Sequence, residues 1–417
     1  MSPRICIPVA TICLTLLACS QQSEPTGPPR LEGAVTAMVD KAVVVSPGEV
    51  TLQVGGTQQL SAQLIQNGQQ KKAAFTWSSS APSVATVSAT GLVTAVGGGD
   101  ATITATASRT QSGTALVHVR RPPPQLAAHL GLGGGPFGSA VSSPGVGWIG
   151  QPGSGTVTKL DIASGTFTGS TGAGPLPVQI SANADGSRIY VVSFFGNGMV
   201  SSINTGTLAT ENTASATTDP QDAYGVTNTP AGDTVFVGIT NGPIIKVAMQ
   251  TGAVQGTLNL PTAAGYHFEW NSNRTRLYAA QRAFDGGRVF EIEPNGLTLL
   301  RTFETGGSPQ GIQLSADGSK LFVAAQDGGV IVWDVANNAQ IARYDTPSCN
   351  GYGLLRTPDN AFLVVGCLNG VVEVLDPSTG ALIETLSVGG TPRELSYDPG
   401  TQSILVPNEG GWVDILR

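Results

Sequence analysis

Residues 308–334, with the sequence SPQGIQLSADGSKLFVAAQDGGVIVWD, decide the fold of most of this chain because their pattern returns along it. A short apolar run leads to a turn at Asp317-Gly318, and a β-branched and aromatic run follows. A second turn at Asp327-Gly328 leads to another apolar run. Asp-Gly pairs tolerate the positive φ of tight hairpin turns, so the stretch predicts consecutive antiparallel strands.

The pattern occurs seven times, with a period of about 42 residues and four predicted strands in each copy. The copies begin near Pro136, Pro177, Tyr224, Tyr266, Pro309, Tyr352 and Pro392. The last copy lacks a fourth strand, while residues 126–136 resemble residues 382–392, which form that strand in the sixth copy. An N-terminal strand that completes the last copy would remove two sheet edges, so we expect a closed seven-bladed β-propeller.

Copies five to seven resemble the YVTN-type propeller repeat, a WD40-like architecture, in residues 315–323 and 376–380. Tyr190-Val191-Val192-Ser193 stands close to the motif after which that family is named. The resemblance implies the fold. It implies little about function, because the family includes surface proteins, periplasmic binding proteins and a lactonase branch.

Residues 1–19 have the features of an export signal: Arg4 near the start, then an apolar run too short to span a bilayer. Leu16-Leu17-Ala18-Cys19 resembles the bacterial lipobox, which implies lipidation of Cys19. The alternative is an ordinary cleaved signal peptide with a chance cysteine. Residues 20–41 are polar and contain three prolines, which predicts a flexible tether.

Residues 42–119 show about seven short apolar or alternating runs separated by turn residues, which predicts a small β-sandwich. The runs 76–80, 83–88 and 91–95 closely resemble the group 2 bacterial Ig-like domain, with Trp77 as its core aromatic residue. Members of that family serve as spacers and, less often, in adhesins. Residues 120–124 (RRPPP) predict a short stiff linker, and residues 125–417 form the predicted propeller. The predicted fold class is therefore all-β, a small Ig-like sandwich followed by a closed propeller.

Two of the five cysteines, Cys349 and Cys367, lie outside the signal segment and flank one predicted hairpin. Their numbers are symmetric about its turn near Pro358-Asp359, which places them almost opposite each other. An exported protein meets oxidising conditions, so we expect a disulfide. A metal or redox pair is the alternative.

Composition and motifs argue against several classes of function. The net charge is −7 and no basic tract is present, so nucleic-acid binding is not expected. Of the three histidines, neither His118 nor His129 has a partner at metal-ligand or triad spacing. We therefore expect no catalytic set, no metal site and no cofactor.

The residues that begin the innermost strand of each copy form one candidate site. Aligned copies place them around one mouth of the central channel, and four of the seven first positions are aromatic. The candidate ligand-binding residues are Phe137, Gln179, Tyr224, Tyr266, His267, Gln310, Tyr352, Arg393 and Glu394. Connecting loops add Phe194, Phe195, Arg282 and Asp285 on the same face. Aromatic bodies with convergent polar groups suit a ligand site, but the same residues could simply pack the ring. Because these side chains lie at the ends of strands, we expect that truncating them costs little stability.

The sequence thus predicts a non-enzymatic binding or recognition protein, attached through a lipid to the outer membrane, cell surface or periplasmic side of a bacterial envelope. Its partner would be a protein, a peptide or a cell-wall ligand, with no nucleic acid and no membrane contact beyond the lipid, and we expect a monomer. One alternative is a lactonase-type hydrolase that uses His267, Arg393 and Glu394. Another is a surface adhesin that acts through the Ig-like domain.

Overall fold

The structure is a computed structural model that describes residues 41–108, 111–218, 222–260, 267–281 and 286–417. Every regular element in these ranges is a β-strand, so the all-β fold class is confirmed for them. The expected signal segment, Cys19 and the tether up to residue 40 lie outside the described residues.

An Ig-like unit comes first in the described chain and contains ten strands in three small sheets. The strands are β1 (Lys41–Ser46), β2 (Glu49–Gln53), β3 (Thr57–Gln59), β4 (Ser61–Gln66), β5 (Gln69–Lys71), β6 (Thr76–Ser79), β7 (Ala85–Val87), β8 (Leu92–Ala95), β9 (Gly99–Ser108) and β10 (Gln111–Arg120). The sheet orders are β1-β4-β5, β2-β10-β9-β6 and β3-β8-β7. The sequence predicted about seven strands, because three-residue strands such as β3, β5 and β7 are too short to show a period.

Alternation along the two longest strands builds the core of this unit. In β9 and β10 every second side chain is buried, including Ile103 and Val117. Trp77 packs partly buried against the same core. A period of two with one apolar face is what a strand needs to cover a sandwich core.

Seven separate four-stranded antiparallel sheets make up the second unit. Sheet 1 contains β12 (Ser139–Ser143), β13 (Val146–Gln151), β14 (Thr156–Asp161) and β15 (Thr166–Gly172); sheet 2 contains β16 (Pro177–Ala182), β17 (Arg188–Ser193), β18 (Met199–Asn204) and β19 (Thr210–Ser215); sheet 3 contains β20 (Ala223–Asn228), β21 (Thr234–Ile239), β22 (Ile244–Ala248) and β23 (Ala253–Leu258). Sheet 4 contains β24 (His267–Trp270), β25 (Leu277–Gln281), β26 (Arg288–Glu293) and β27 (Thr298–Phe303); sheet 5 contains β28 (Pro309–Leu314), β29 (Lys320–Ala325), β30 (Val330–Asp334) and β31 (Ala339–Tyr344); sheet 6 contains β32 (Gly351–Arg356), β33 (Leu363–Cys367), β34 (Val371–Leu375) and β35 (Leu382–Ser387). Sheet 7 combines β11 (Leu126–Gly131) with β36 (Ser396–Asp398), β37 (Ser403–Asn408) and β38 (Trp412–Leu416).

Sheet 7 is assembled from segments that are almost 290 residues apart in the chain. Strand β11 pairs antiparallel with β38, with His129 opposite Asp414 and Leu130 opposite Val413. This is the pairing that the sequence predicted for residues 126–132. It covers the outer edge of β38, which would otherwise present unpaired backbone groups.

The hairpins give the seven sheets two faces. The front face is the face at which the first strand of each sheet begins. It also carries the turns between the second and third strands, such as the turn at Asp327-Gly328. The back face carries the turns between first and second strands, such as the one at Asp359, and between third and fourth strands. The candidate mouth residues that the structure describes lie at the front-face ends of the first strands.

The Ig-like unit contacts the back face through the two arginines of the expected linker. The Arg121 guanidinium lies 2.7 Å from the Asp359 carboxylate, donates to Gln402 Oε1 at 3.1 Å and lies over the Phe362 ring. The Arg120 guanidinium lies 3.6 Å from the Asp376 carboxylate. These contacts place the Ig-like unit on the side opposite to the candidate site.

Cys349 and Cys367 form the disulfide that the sequence predicted, with their Cα atoms 5.0 Å apart. The bond joins the segment before β32 to the end of β33 on the front face. A cross-link that closes a loop of this length contributes about 3 kcal/mol to stability by restricting the unfolded chain.

Candidate binding site at the front mouth

Irregular pairing at the start of the first strands aims the candidate side chains at the channel. The ladder register shifts at Val178 in β16, at Tyr224 in β20, at Gln310 and Gly311 in β28, and at Tyr352 in β32. A bulge leaves one residue outside the ladder and redirects its side chain. The sequence repeat places these residues at the starts of the first strands but does not reveal that they form bulges.

The next residue in each copy is a glycine in four sheets, and the structure gives the reason. A Cβ at Gly138 would collide with the carbonyl oxygen of Val178 in the neighbouring sheet, and one at Gly353 would collide with that of Arg393. Neighbouring first strands therefore approach too closely for a side chain at these places. The three copies without glycine carry Gln179, His267 and Glu394.

These three exceptions meet one another, and we call them the polar junction. Gln179 Nε2 donates to Glu394 Oε1 at 3.0 Å, and Gln179 Oε1 accepts from the Val226 backbone at 3.1 Å. His267 Nε2 lies 3.1 Å from the same Glu394 oxygen but without hydrogen-bond alignment. The junction thus links sheets 2, 4 and 7 across the channel.

Aromatic residues continue from the junction toward the rim of the front face, and we call this set the aromatic row: Phe195, Phe194, Tyr224, Phe137 and Tyr352. Neighbouring rings meet edge to face, with centroids 5.2 Å to 6.1 Å apart. The hydroxyls of Tyr224 and Tyr352 are hydrogen-bonded to each other. Only the outermost ring, Phe195, is well exposed, at 49%.

Arg393 covers the inner end of the aromatic row. Its guanidinium lies 4.7 Å from the Phe137 ring centroid and 4.6 Å from that of Tyr352, close enough for cation–π attraction. It also donates to Glu409 Oε2 at 2.7 Å. The positive charge of Arg393 is therefore engaged at the front surface.

The protonation states of the site follow from burial. Burial raises the pKa of Tyr224 and of Tyr352 far above the usual phenol range, with the nearby Glu394 carboxylate adding to the effect. Burial lowers the pKa of His267, and the attraction of Glu394 opposes this only in part. At neutral pH the two phenols and the imidazole are therefore uncharged.

The structure brings most of the predicted set together. Phe137, Gln179, Tyr224, His267, Tyr352, Arg393 and Glu394 form one contiguous cluster. Gln310 stands apart and donates to Gln326 at 3.4 Å within its own sheet. Tyr266, Arg282 and Asp285 lie outside the described residues.

Burial also changes what truncation of this cluster should do. Tyr352 is 1% exposed and Phe137 and Tyr224 are buried as well, so they are core residues in addition to lining the mouth. Removing a buried aromatic ring costs about 3–5 kcal/mol. The expectation that truncation would cost little stability was therefore wrong for these three rings.

Sequence reasoning missed acidic partners that are distant in the chain. Glu409 pairs with Arg393 from the turn between β37 and β38, and comparing that turn across the copies could have found it. His118 lies 2.7 Å from Asp100, and His129 lies 2.7 Å from Asp414. The sequence shows no partner for either histidine at metal-ligand or triad spacing, and spacing does not show cross-strand neighbours.

A cavity of about 180 Å³ lies behind the polar junction. Its lining comes from the first strands of sheets 1 to 6 and from the residues just before β36 in sheet 7. Residues from all seven sheets therefore line this one cavity. No cluster of three or more metal-ligating side chains occurs among the described residues.

Comparison with known proteins supports the two-part architecture. Residues 40–117 match the bacterial Ig-like domain (group 2) family. The hydrazine synthase structure from Kuenenia stuttgartiensis covers 68% of this chain and 95% of its own, with a TM-score of 0.61 and 16% identity. At that identity the similarity shows a shared propeller-like fold and nothing about activity.

Two curated relatives match short parts of the chain. The meiotic recombination protein rec14 of Schizosaccharomyces pombe is 26% identical over 103 residues, which is 24% of this chain and 34% of rec14. The protein Rae1 of Drosophila melanogaster is 33% identical over 94 residues, which is 21% of this chain and 26% of Rae1. The chain thus matches about a third or less of the length of these relatives.

An Ig-like domain followed by a propeller-like unit suggests a protein of the binding or adhesin type. Group 2 Ig-like domains and a disulfide are both typical of extracellular bacterial proteins. Within the described residues, no helix is long and apolar enough to cross a membrane.

Proposed function

We propose that this chain is an exported, lipid-anchored recognition protein that binds its ligand at the front face of a closed seven-bladed propeller. One observation carries the proposal: of the three side chains that interrupt the glycine positions, Gln179 and His267 both approach the same carboxylate oxygen of Glu394. Packing alone would be served by glycine at all seven positions. A polar junction inside a ring of apolar sheets is costly unless it serves a purpose.

Closure of the ring is part of this proposal. The pairing of β11 with β38 supports it, as does the cavity lined by residues of all seven sheets. In a closed ring the front mouth is one concave site bordered by seven loops, which is where propellers offer ligands their largest surface.

The Ig-like unit acts as a spacer in this proposal. Its contacts through Arg120 and Arg121 are made on the back face, so the front face points away from the Ig-like unit. A tethered protein with this orientation presents its binding face outward. The partner would be a peptide, a protein or a cell-wall fragment.

The test is a binding screen of the whole exported chain against muropeptides, oligosaccharides and secreted peptides, with variants on two surfaces. Phe195→Ser removes the exposed end of the aromatic row. Ile341→Ser is the matched control, because Ile341 is equally exposed, at 51%, on the outer strand β31. A ligand whose affinity falls tenfold or more, about 1.4 kcal/mol, with the first change only would support the front face.

Other outcomes of the same screen point elsewhere. A ligand that is indifferent to Phe195→Ser but is lost when the Ig-like unit is altered would support the adhesin alternative. The His267–Glu394 contact is the one feature that favours a hydrolase, since a neutral imidazole beside a carboxylate can act as a general base. Turnover of lactones that disappears in His267→Gln would replace the binding proposal with the enzyme.

A further inference from the structure

The central cavity behind the polar junction has walls that select one kind of ligand. Hydroxyl and amide groups line it, from Ser139, Ser181, Thr227 and Gln313 together with Gln179. Among the described lining residues, the charged or titratable groups are the Glu394 carboxylate and the His267 imidazole, and none is lysine or arginine. The described part of the wall is thus rich in hydrogen-bond acceptors and carries a negative group without a cation beside it.

The His267 imidazole and the Glu394 carboxylate meet in this wall without a hydrogen bond between them. His267 is buried, and among the described residues its Nε2 atom has no hydrogen-bond partner, although it lies 3.1 Å from Glu394 Oε1. Among the described residues, the Gln179 amide is the hydrogen-bond donor to the Glu394 carboxylate. Buried polar atoms are almost always satisfied, so an orphaned ring nitrogen at a cavity wall points to a missing partner. That partner is a donor when the neutral imidazole carries its proton on Nδ1.

Arg393 does not supply that donor. Its guanidinium is paired with Glu409 and stacked on Phe137 and Tyr352 at the front surface.

The size of the cavity limits the ligand. A volume of about 180 Å³ equals roughly six water molecules at liquid density. A peptide or a sugar chain does not fit in this space, whereas a compact molecule of a few heavy atoms does.

We propose that the central cavity binds a small organic cation with a primary ammonium group. The ammonium bridges Glu394 and His267 Nε2 as the shared donor, and the hydroxyls of Ser181 and Thr227 accept its remaining hydrogens or bind a hydroxyl of the ligand. This inference rests on the proposed function and names the ligand class of the inner part of the same site.

The experiment measures binding to the whole chain near neutral pH by calorimetry with four probes of similar size. Methylammonium and ethanolamine are the expected ligands. Tetramethylammonium keeps the charge but has no N–H donor, and acetate reverses the charge. We expect saturable one-to-one binding of the two primary amines and none of the other two.

Variants then locate the site. Glu394→Gln keeps the shape of the side chain and removes its charge, and we expect it to weaken amine binding tenfold or more. Glu304→Gln is the control, because Glu304 is an exposed carboxylate in another part of the second unit. Thr227→Val keeps the approximate shape of the side chain and leaves the Glu394 carboxylate in place, and we expect it to lower the affinity for ethanolamine severalfold. This variant still tests the inference if Glu394→Gln does not fold.

Three results would overturn the inference: no saturable binding of either amine at millimolar concentration, equal binding of tetramethylammonium or acetate, or equal affinity in wild type, Glu394→Gln and Thr227→Val. In the first case, ordered water alone fills the cavity. The proposed recognition function is judged separately, because it depends on the response of larger ligands to Phe195→Ser and not on amine binding.

Discussion

At the scale of single residues, buried or half-buried histidines join strands that the sequence does not connect. His118 lies on β10. Its Nδ1 atom is 2.7 Å from the Asp100 carboxylate of β9, and its Nε2 atom is 3.0 Å from the Glu49 carboxylate of β2. Its side chain is only 16% exposed. The imidazole therefore joins three strands of one sheet, including the parallel pair of β2 and β10.

This arrangement predicts a pH-dependent stability of the Ig-like unit. Burial disfavours the charged imidazole, but hydrogen bonds to Asp100 and Glu49 outweigh it and raise the pKa of His118. A raised pKa in the folded state means that the stabilisation is complete below the unfolded value of about 6.5 and is lost as pH rises through the folded pKa. His118→Gln should therefore lower stability at about pH 5.5, by about 1 kcal/mol or less because both acids are exposed, and change little at about pH 9.

Calorimetric unfolding of both proteins across this range is the measurement. His129→Gln serves as the control for removal of a histidine, because His129 lies in sheet 7 and leaves the Ig-like unit untouched. A stability difference for His118→Gln that grows with rising pH would contradict the predicted sign.

At the scale of elements, the same irregularity is repeated in the outer strand of every sheet. The ladder between third and fourth strands shifts register once in sheets 1 to 6, and the ladder between β11 and β38 does so in sheet 7. A bulge at a sheet edge bends and twists the strand, which hinders pairing with another chain. Strand β11 thus has the structure of a fourth strand as well as its position.

If β11 completes sheet 7, disrupting its inward side should destabilise the second unit. Leu130 packs against the core that contains Val413 and Ile415. Leu130→Asp would place a charge in that core, and we expect it to cost about 2–4 kcal/mol. The change is measured as a fall in the unfolding temperature of the second unit.

Leu126→Asp is the matched control in the same strand, because Leu126 is 45% exposed and its replacement should change stability far less. If both variants unfold at the wild-type temperature, β11 does not contribute to the stability of sheet 7. A loss of stability confined to Leu130→Asp would support closure of the ring by this strand.

At the scale of the whole molecule, the Ig-like unit and the candidate mouth lie on opposite faces of the second unit. The Ig-like unit meets the back face at Asp359 and Asp376, and the candidate mouth opens on the front face. Arg121 contributes an ion pair, a hydrogen bond and a ring contact at this junction. The candidate mouth and the Ig-like unit therefore lie on opposite faces of the second unit.

The proposed anchor can be tested directly in cells. Cys19→Ala removes the thiol that the lipid would occupy, so we expect the protein to move from the membrane fraction to the soluble fraction or to remain unprocessed. Fractionation and the mass of the mature N-terminus are the measurements, with Ser20→Ala as the neighbouring control. A variant that stays in the membrane fraction with an unchanged mature N-terminus would refute the anchor.

The amino-acid sequence by itself determined the features that repeat or that depend on local pairing. Turn residues at a regular period predicted the four-stranded sheets, the symmetry of Cys349 and Cys367 about one turn predicted the disulfide, and the similarity of residues 126–136 to residues 382–392 predicted the β11–β38 pairing. Hairpin register and strand period are short-range properties, so a single sequence carries them.

The tertiary structure alone decided which side chains meet in the channel. Gln179 and Glu394 are 215 residues apart, and Tyr224 and Tyr352 are 128 apart. The spacing of these residues in the sequence predicts neither their burial nor the absence of a hydrogen-bond partner for His267 Nε2 among the described residues. The docking of Arg121 on Asp359 was likewise absent from the sequence, where residues 120–124 read as a plain linker. Repeats fix the order of the strands within each sheet. Contacts between side chains of different sheets depend on how the seven sheets pack together, and no local sequence pattern encodes such long-range contacts.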